Sequence, residues 1–322
     1  MTSIKIPDIV LSSGQKMPIL GLGTVMFGED KNKTYQAVRE AINAGYRLID
    51  TAAMYQTEPE IGRAIKDSIV DGEITRDQLF IVTKVWTDSL KRDKVLESAK
   101  ASCERLGLDY VDLLLVHTPM PTIPGKSFEP DNDVDIYNET WKGMEDAQKA
   151  GFTKSIGVSN YNAKQIDETI KVAEIKPVVN EVESHPLLNQ SKLQAHCESR
   201  GIKLIAYSPL GGTPRKSDMS TTVTDQNVRN QLVNNDLVKK LAEKYGKSPA
   251  QILIKYHPAR GLIVIPKSVT KERIEQNANI FDFDLTEQEI EQLNALHNGT
   301  RYLHFKTSSI VNHKNFPFHD EY

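Results

Sequence analysis

Apolar and polar positions along this chain fall into repeating blocks. Short runs rich in Ile, Leu and Val are followed by stretches whose apolar residues recur every three or four positions, at a spacing of roughly 30 residues, as βα units require. The apolar runs are Pro18 to Leu22, Tyr46 to Asp50, Leu79 to Lys84, Tyr110 to His117, Thr153 to Val158, Pro177 to Val182, Ile202 to Tyr207 and Leu262 to Pro266. Several are apolar at nearly every position, which predicts parallel strands covered on both faces. Between them, Thr34 to Ala44 carries Ala37, Val38, Ala41 and Ile42 at helical spacing, and Asp93 to Leu106 and Tyr137 to Ala150 read the same way. Eight strand candidates with intervening helices predict an α/β protein, a closed (β/α)₈ TIM barrel. An opening hairpin over Ile9 to Leu20, turning at Ser13-Gly14-Gln15, is expected to cap the barrel's bottom.

No linker-like or low-complexity stretch divides the chain, so residues 1–322 read as one domain. Three segments interrupt the rhythm: Pro119 to Asp135, Gly211 to Asn235, and the tail from Gly299 to Tyr322. The first two follow strands four and seven, at the carboxyl ends where barrels build active sites, and read as functional loops or as plain connectors.

Composition narrows the function. With 40 basic and 43 acidic side chains the net charge is −3, and Lys and Arg are spread along the chain, so neither nucleic acid nor an anionic membrane is an expected partner. Two cysteines, Cys103 and Cys197, are too few for a disulfide framework, and no Cys or His pair shows metal-binding spacing. Met1 to Val10 contains Lys5, Pro7 and Asp8 rather than an apolar core, so no secretory leader is expected, and no apolar run is long enough to span a membrane. A cytosolic monomer acting on a small molecule is the expectation.

Four polar residues end the apolar runs or follow them closely: Asp50 and Tyr55 in Asp-Thr-Ala-Ala-Met-Tyr, Lys84 in Ile-Val-Thr-Lys, and His117 in Leu-Leu-Leu-Val-His. Singly, Asp50 could cap a helix, Tyr55 pack a loop, Lys84 snorkel to solvent and His117 sit hydrogen-bonded in a core. In a barrel all four meet at one rim. Reducing a carbonyl needs a hydride at carbon and a proton at oxygen; a phenol can give the proton when a lysine ammonium stands beside it and a carboxylate holds that ammonium. His117 could orient the carbonyl oxygen.

Gly21-Leu22-Gly23-Thr24 lacks the third glycine of a dinucleotide fingerprint, since Met26 stands there, so the glycines are read as letting the strand-one turn approach a cofactor closely. A better anion site lies at Ile265 to Arg273, where Lys267, Ser268, Thr270, Lys271 and Arg273 gather before a helix. Lys267, Ser268 and Arg273 suit a phosphate monoester such as the 2′-phosphate of NADPH; an exposed basic turn is the plainer alternative.

At these residues the sequence resembles the aldo-keto reductase superfamily, over nearly its whole length. The matching segments include Gly-Leu-Gly-Thr at 21–24, Asp-Thr-Ala before Tyr55, Thr-Lys-Val-Trp at 83–86, Asp109 to His117, and Gly157-Val-Ser-Asn. Val-Asn-Glu-Val-Glu-Ser-His-Pro at 179–186, Ala-Tyr-Ser-Pro-Leu-Gly at 206–211 and Ile-Pro-Lys-Ser at 265–268 continue the series, and the tail from His313 is similar to that of animal aldose-reductase-type members, with an insect-like member among the readings. The resemblance implies NADPH as cofactor, with Gly23, Thr24, Val25 and Asp50 beside it. It implies Ser159, Asn160 and Glu181 at the nicotinamide carboxamide, Tyr207 stacked on the ring, and Ser208 and Leu210 at the pyrophosphate. It also implies Lys267, Ser268, Val269, Thr270 and Arg273 around the adenosine phosphate, with Gln276 and Asn277 near adenine. Val25, Tyr55, Trp86, His117 and Thr118 would line the substrate pocket.

Three departures stand out against that pattern. Glu181 replaces the usual Gln, and an ionised carboxylate accepts but cannot donate. Gln276 replaces a common Glu, and Val25 and Thr118 replace tryptophans, which implies a roomier pocket for bulkier ketones. His117, where steroid double-bond reductases of the superfamily carry Glu, implies carbonyl reduction. Aldehydes, quinones, sugars and steroid ketones, ecdysteroids included, are all compatible substrates. Two other classes stay open on the residues alone: a Schiff-base aldolase using Lys84 as nucleophile, and a non-enzymatic protein that only binds the cofactor.

Overall fold

The computed structural model describes residues 4–26, 30–126, 128–212, 228–305, 309–320 and 322. A two-stranded antiparallel hairpin, β1 (Asp8–Val10) and β2 (Lys16–Pro18), precedes eight parallel strands. These are β3 (Leu22–Gly23), β4 (Leu48–Asp50), β5 (Phe80–Val85), β6 (Val111–Val116), β7 (Thr153–Ser159), β8 (Val179–Glu183), β9 (Lys203–Tyr207) and β10 (Ile263–Val264), each hydrogen-bonded to the next in sequence. The first and last strands also meet. Gly21 N–H donates to the Val264 carbonyl at 2.9 Å, Val264 N–H to Ile19 at 2.9 Å and Gly23 N–H to Pro266 at 3.1 Å, which closes the expected barrel.

Helices α1 (Asn32–Asn43), α2 (Glu58–Val70), α3 (Arg92–Leu106), α4 (Trp141–Lys149), α5 (Ala163–Val172) and α6 (Ser191–Glu198) alternate with the strands. The connection to β10 holds α7 (Val228–Val233), α8 (Asp236–Tyr245) and α9 (Pro249–Lys255); α10 (Lys271–Ala278) and α11 (Glu287–Asn294) follow. Local chemistry sets several helix starts: Asn162, Ser248 and Thr286 each accept from the backbone N–H three residues on, while Gln165, Gln251 and Glu289 reach back to the cap. On α1 the stripe Ala37, Val38, Ala41 and Ile42 is buried, as its spacing predicts.

Apolar side chains fill two layers. Leu48, Phe80, Val82, Leu113, Leu115, Val179, Ile205 and Ile263 pack inside the barrel, where Leu11 and Met17 of the hairpin join them from below. The larger layer lies between strands and helices, around Ile49, Ile81, Val85, Leu114, Val116 and Ile156.

Three expectations are corrected in detail. Pro18 belongs to the hairpin, paired with Asp8, and the first barrel strand begins only at Leu22, with Leu20 bridging to Val264. The hairpin spans Asp8–Pro18 rather than Ile9 to Leu20. Within the stretch read as a loop from Gly211 to Asn235, residues 213–227 lie outside the described residues, and Val228–Val233 is helical because Val228 and Leu232, one turn apart, are both buried. Among the described residues no helix is long and apolar enough to cross a membrane.

Candidate active site

Successive side chains on a strand point to opposite faces, so residues two apart share a face. Phe80 and Val82 point into the barrel, and Lys84 is next in that row. The same step leads from Leu48 to Asp50, from Leu115 to His117, from Val179 to Glu181, from Ile205 to Tyr207 and from Ile265 to Lys267. At the carboxyl ends of the strands the inward row thus changes from apolar to polar, and these side chains gather over the core. Tyr55 arrives differently, on a 3-10 turn at Ala53–Tyr55 where its N–H donates to the Ala52 carbonyl at 3.0 Å.

Lys84 is fully buried, and its ammonium donates to both carboxylate oxygens of Asp50, at 2.7 and 2.6 Å, and to the Thr51 carbonyl at 3.1 Å. A second carboxyl, Glu181, lies 3.2 Å from the same Nζ. Burial opposes the lysine charge, but the two carboxyls outweigh it and hold Lys84 above the ordinary ammonium range. The ammonium stands 5.5 Å from the centroid of the Tyr55 ring, which meets the His117 ring edge-on at 5.5 Å. Burial and the Lys84 charge keep His117 well below the usual imidazole range, hence neutral. Trp86 packs edge-on against His117 at 4.9 Å.

One cavity of about 730 Å³ joins these groups. Asp50, Tyr55, Trp86, His117 and Thr118 line one end, with Val25 beside them. Asn160, in a left-handed conformation (φ 61°), donates to the His117 carbonyl at 3.0 Å and to Ser159 Oγ at 3.1 Å, and accepts from Tyr207 Oη at 2.8 Å. Ser159 donates in turn to the Glu181 carbonyl at 2.8 Å. Ser208 and Leu210 continue the wall, which ends at Lys267, Ser268, Val269, Thr270, Arg273, Gln276 and Asn277. Gly23 and Thr24 also line it, yet the glycines of the strand-one turn serve the barrel. A Cβ at Gly23 would sit 2.8 Å from the Ile265 carbonyl oxygen, and one at Gly21 would collide with the Leu48 side chain.

A model of the aldo/keto reductase family matches residues 19–298, which include the cavity residues named so far. The chain belongs to the aldo/keto reductase family. It is 42% identical over 313 residues to aldo-keto reductase AKR2E4 of Bombyx mori, covering 94% of this chain and 96% of the relative. It is 41% identical to estradiol 17 beta-dehydrogenase 5 of Mus musculus, with 97% of each chain covered. The crystal structure of the Bombyx mori enzyme in complex with NADP superposes with a TM-score of 0.86 at 40% identity, covering 98% of this chain and 100% of that one.

The cavity of this aldo-keto reductase also holds residues that no sequence motif singled out, while Lys84 lies beneath its wall. Met54, Arg229 and Lys239 line it, as do Tyr302, Leu303 and Phe305 of the tail. The tail reaches the wall because Glu183, buried at the end of β8, accepts from the Tyr302 and Leu303 N–H groups at 2.5 and 2.7 Å and bonds His185 at 2.9 Å. No local pattern marks those residues; the contact joins positions more than a hundred residues apart.

Glu181 differs electrically from Asp50. Burial pushes its carboxyl well above the usual range, the Asp50 charge adds to this, and Lys84 opposes it. Burial raises Asp50 as well, but less far, so of the two carboxyls it is Glu181 that favours the protonated form, and its Oε2 has no partner among the described residues. A raised folded-state value means that the folded chain keeps a proton which the unfolded chain releases above a pH of about 4.3. The stability is thus fully present below that pH and declines as pH rises toward the folded value. Glu181→Gln, of the same shape and with no proton to lose, should be more stable than the parent at pH 7, with the gap closing near pH 4. Urea midpoints across that range measure it; a gap independent of pH would contradict the assignment.

Proposed function

We propose that this chain reduces aldehydes and ketones to alcohols with NADPH, using Tyr55 as proton donor. The observation that carries the reading is the meeting of Asp50, Lys84, Tyr55 and His117 at one end of a single cavity whose other end gathers Lys267, Ser268, Thr270 and Arg273. NADPH, when bound, supplies the hydride.

The residues present suit that cofactor. Glu181 has an oxygen with no partner among the described residues, and a carboxyl in either protonation state can accept there from a carboxamide NH₂. Asn160 and Ser159 stand beside it, and Tyr207 offers a flat face to a heterocycle. The far end supplies cations and hydroxyls for phosphate.

The proton side follows from the charges. A substrate oxygen between Tyr55 and His117 receives a hydrogen bond from the neutral imidazole and the proton from the phenol. His117 lines the cavity, and the Nε2–H of its neutral ring is the donor assigned to the substrate oxygen. As the phenol loses its proton, the Lys84 ammonium stabilises the negative charge that develops, and Asp50 keeps that ammonium in place. A Schiff-base reading is disfavoured by the same geometry. Lys84 does not line the cavity, and a buried, protonated ammonium clasped by two carboxyls has no lone pair to attack a carbonyl.

The substrate reading is an aldehyde or a bulky ketone, steroid ketones included, acted on by one cytosolic domain. Val25 and Thr118, smaller than the tryptophans the resemblance would place there, line the cavity along with Trp86, and the name of the mouse relative points to a steroid. A panel of carbonyl compounds, followed by NADPH absorbance, tests this. Thr118→Trp should lower kcat/KM for bulky ketones by about tenfold or more while sparing small aldehydes. An unchanged substrate range, or a parent enzyme confined to the smallest aldehydes, would count against the wide pocket.

A further inference from the structure

The far end of the cavity contains two arginines, and only one of them was expected from the sequence. Arg273 stands on α10, and Arg229 projects from α7 into the same wall. Neither guanidinium has an ion pair or hydrogen bond among the described residues. Lys271, by contrast, is engaged outside the cavity, 2.9 Å from Glu40.

The fold places Arg229 deliberately close. Gly211 follows the Ser208–Leu210 wall in a left-handed conformation (φ 75°), and a Cβ there would lie 2.6 Å from Val228, 2.9 Å from Leu232 and 3.0 Å from the Arg229 backbone nitrogen. Having no side chain, it lets α7 seat directly on that wall. Val228 and Leu232, one turn apart, are buried in the cluster that Leu210 borders, which leaves Arg229 beside the apolar stripe and at the cavity.

Two guanidinia on one wall, with no carboxylate paired to either among the described residues, repel each other. Half-burial and the Arg273 charge both lower the Arg229 guanidinium from its usual range, so the pair is held at a cost in the protein alone. A ligand carrying about two negative charges, as a phosphate monoester does, removes that cost, and the planar fork of each arginine matches its oxygens. We propose that Arg229 is a second phosphate-binding arginine that closes with Arg273 on the 2′-phosphate of the cofactor and fixes the preference for NADPH over NADH. This rests on the cofactor reading given above.

Binding is measured by quenching of intrinsic tryptophan fluorescence on the full chain, titrated with NADP⁺, NAD⁺ and adenosine 2′-monophosphate. Arg229→Gln should weaken NADP⁺ and adenosine 2′-monophosphate by about tenfold to a hundredfold, the scale of a lost charge-assisted hydrogen bond, with NAD⁺ changed by less than about twofold. Arg229→Lys should recover part of the loss by keeping the charge without the fork. If Arg229→Gln leaves NADP⁺ binding intact while Arg273→Ala weakens it selectively, the inference fails and the phosphate end stands. If neither variant distinguishes NADP⁺ from NAD⁺, the reading of that end fails as well. Equal weakening of NADP⁺ and NAD⁺ by Arg229→Gln would reduce Arg229 to a support for α7 and overturn the proposal.

Discussion

Tyr55→Phe is expected to lower kcat by about two to four orders of magnitude, the usual scale of lost acid catalysis, while NADPH binds as in the parent. The substitution keeps the ring, and with it the edge-on contact to His117 and the position 5.5 Å from the Lys84 ammonium. Only the hydroxyl is lost. The other candidate for donor is His117, but burial and the Lys84 charge hold its imidazole neutral far below neutral pH, so it carries no acidic proton to take over. Hydride transfer in the variant would leave an alkoxide in a buried site with no acid beside it. Single-turnover kinetics with pre-bound NADPH separate this from a binding defect. A kcat within a few-fold of the parent would show that the proton comes from elsewhere.

Lys84→Met should be costly to the fold as well as to turnover. Lys84 is the only cation in contact with Asp50 and Glu181 among the described residues, and all three side chains are almost completely buried. Removing one partner of a buried ion pair leaves an uncompensated charge, with a cost of about 3–5 kcal/mol. Without the ammonium, burial raises Asp50 further, so the folded variant takes up a proton that the unfolded chain binds only below a pH of about 3.9. The deficit against the parent is therefore largest at neutral pH and shrinks as pH falls toward 4. Urea unfolding at pH 7 and pH 4.5 checks both statements. Lys84→Met combined with Asp50→Asn should recover much of the stability and none of the turnover, because the stranded charge is gone but the ammonium beside Tyr55 is not restored. A single variant as stable as the parent at pH 7 would mean that the carboxyls find solvent or another cation.

The cost of that variant follows from a geometry only partly legible in the chain. Apolar runs at regular spacing marked all eight strands, and the polar residues that end them marked Asp50, Lys84 and His117 as a set. Strand parity could not be read in the same way. Phe80 to Val85 is buried at every position, so nothing local says whether the row of Lys84 or the row of Thr83 faces the barrel. The two faces differ only in what packs on them, helices on one side and the other strands on the other.

Local periodicity and residue chemistry thus determined the repeating βα architecture, the polar residues at the strand ends and the basic turn before α10, because each strand and helix carries its own apolar pattern; Ser159, Asn160, Glu181 and Tyr207 came from the family resemblance. Tertiary structure alone decided the rest. It set Glu181 against Lys84 and raised its carboxyl, since a carboxyl's charge depends on neighbours that arrive from other strands. It also set Arg229 and Arg273 on one cavity and joined the tail to Glu183, groups that lie far apart in the chain and meet only when the barrel closes.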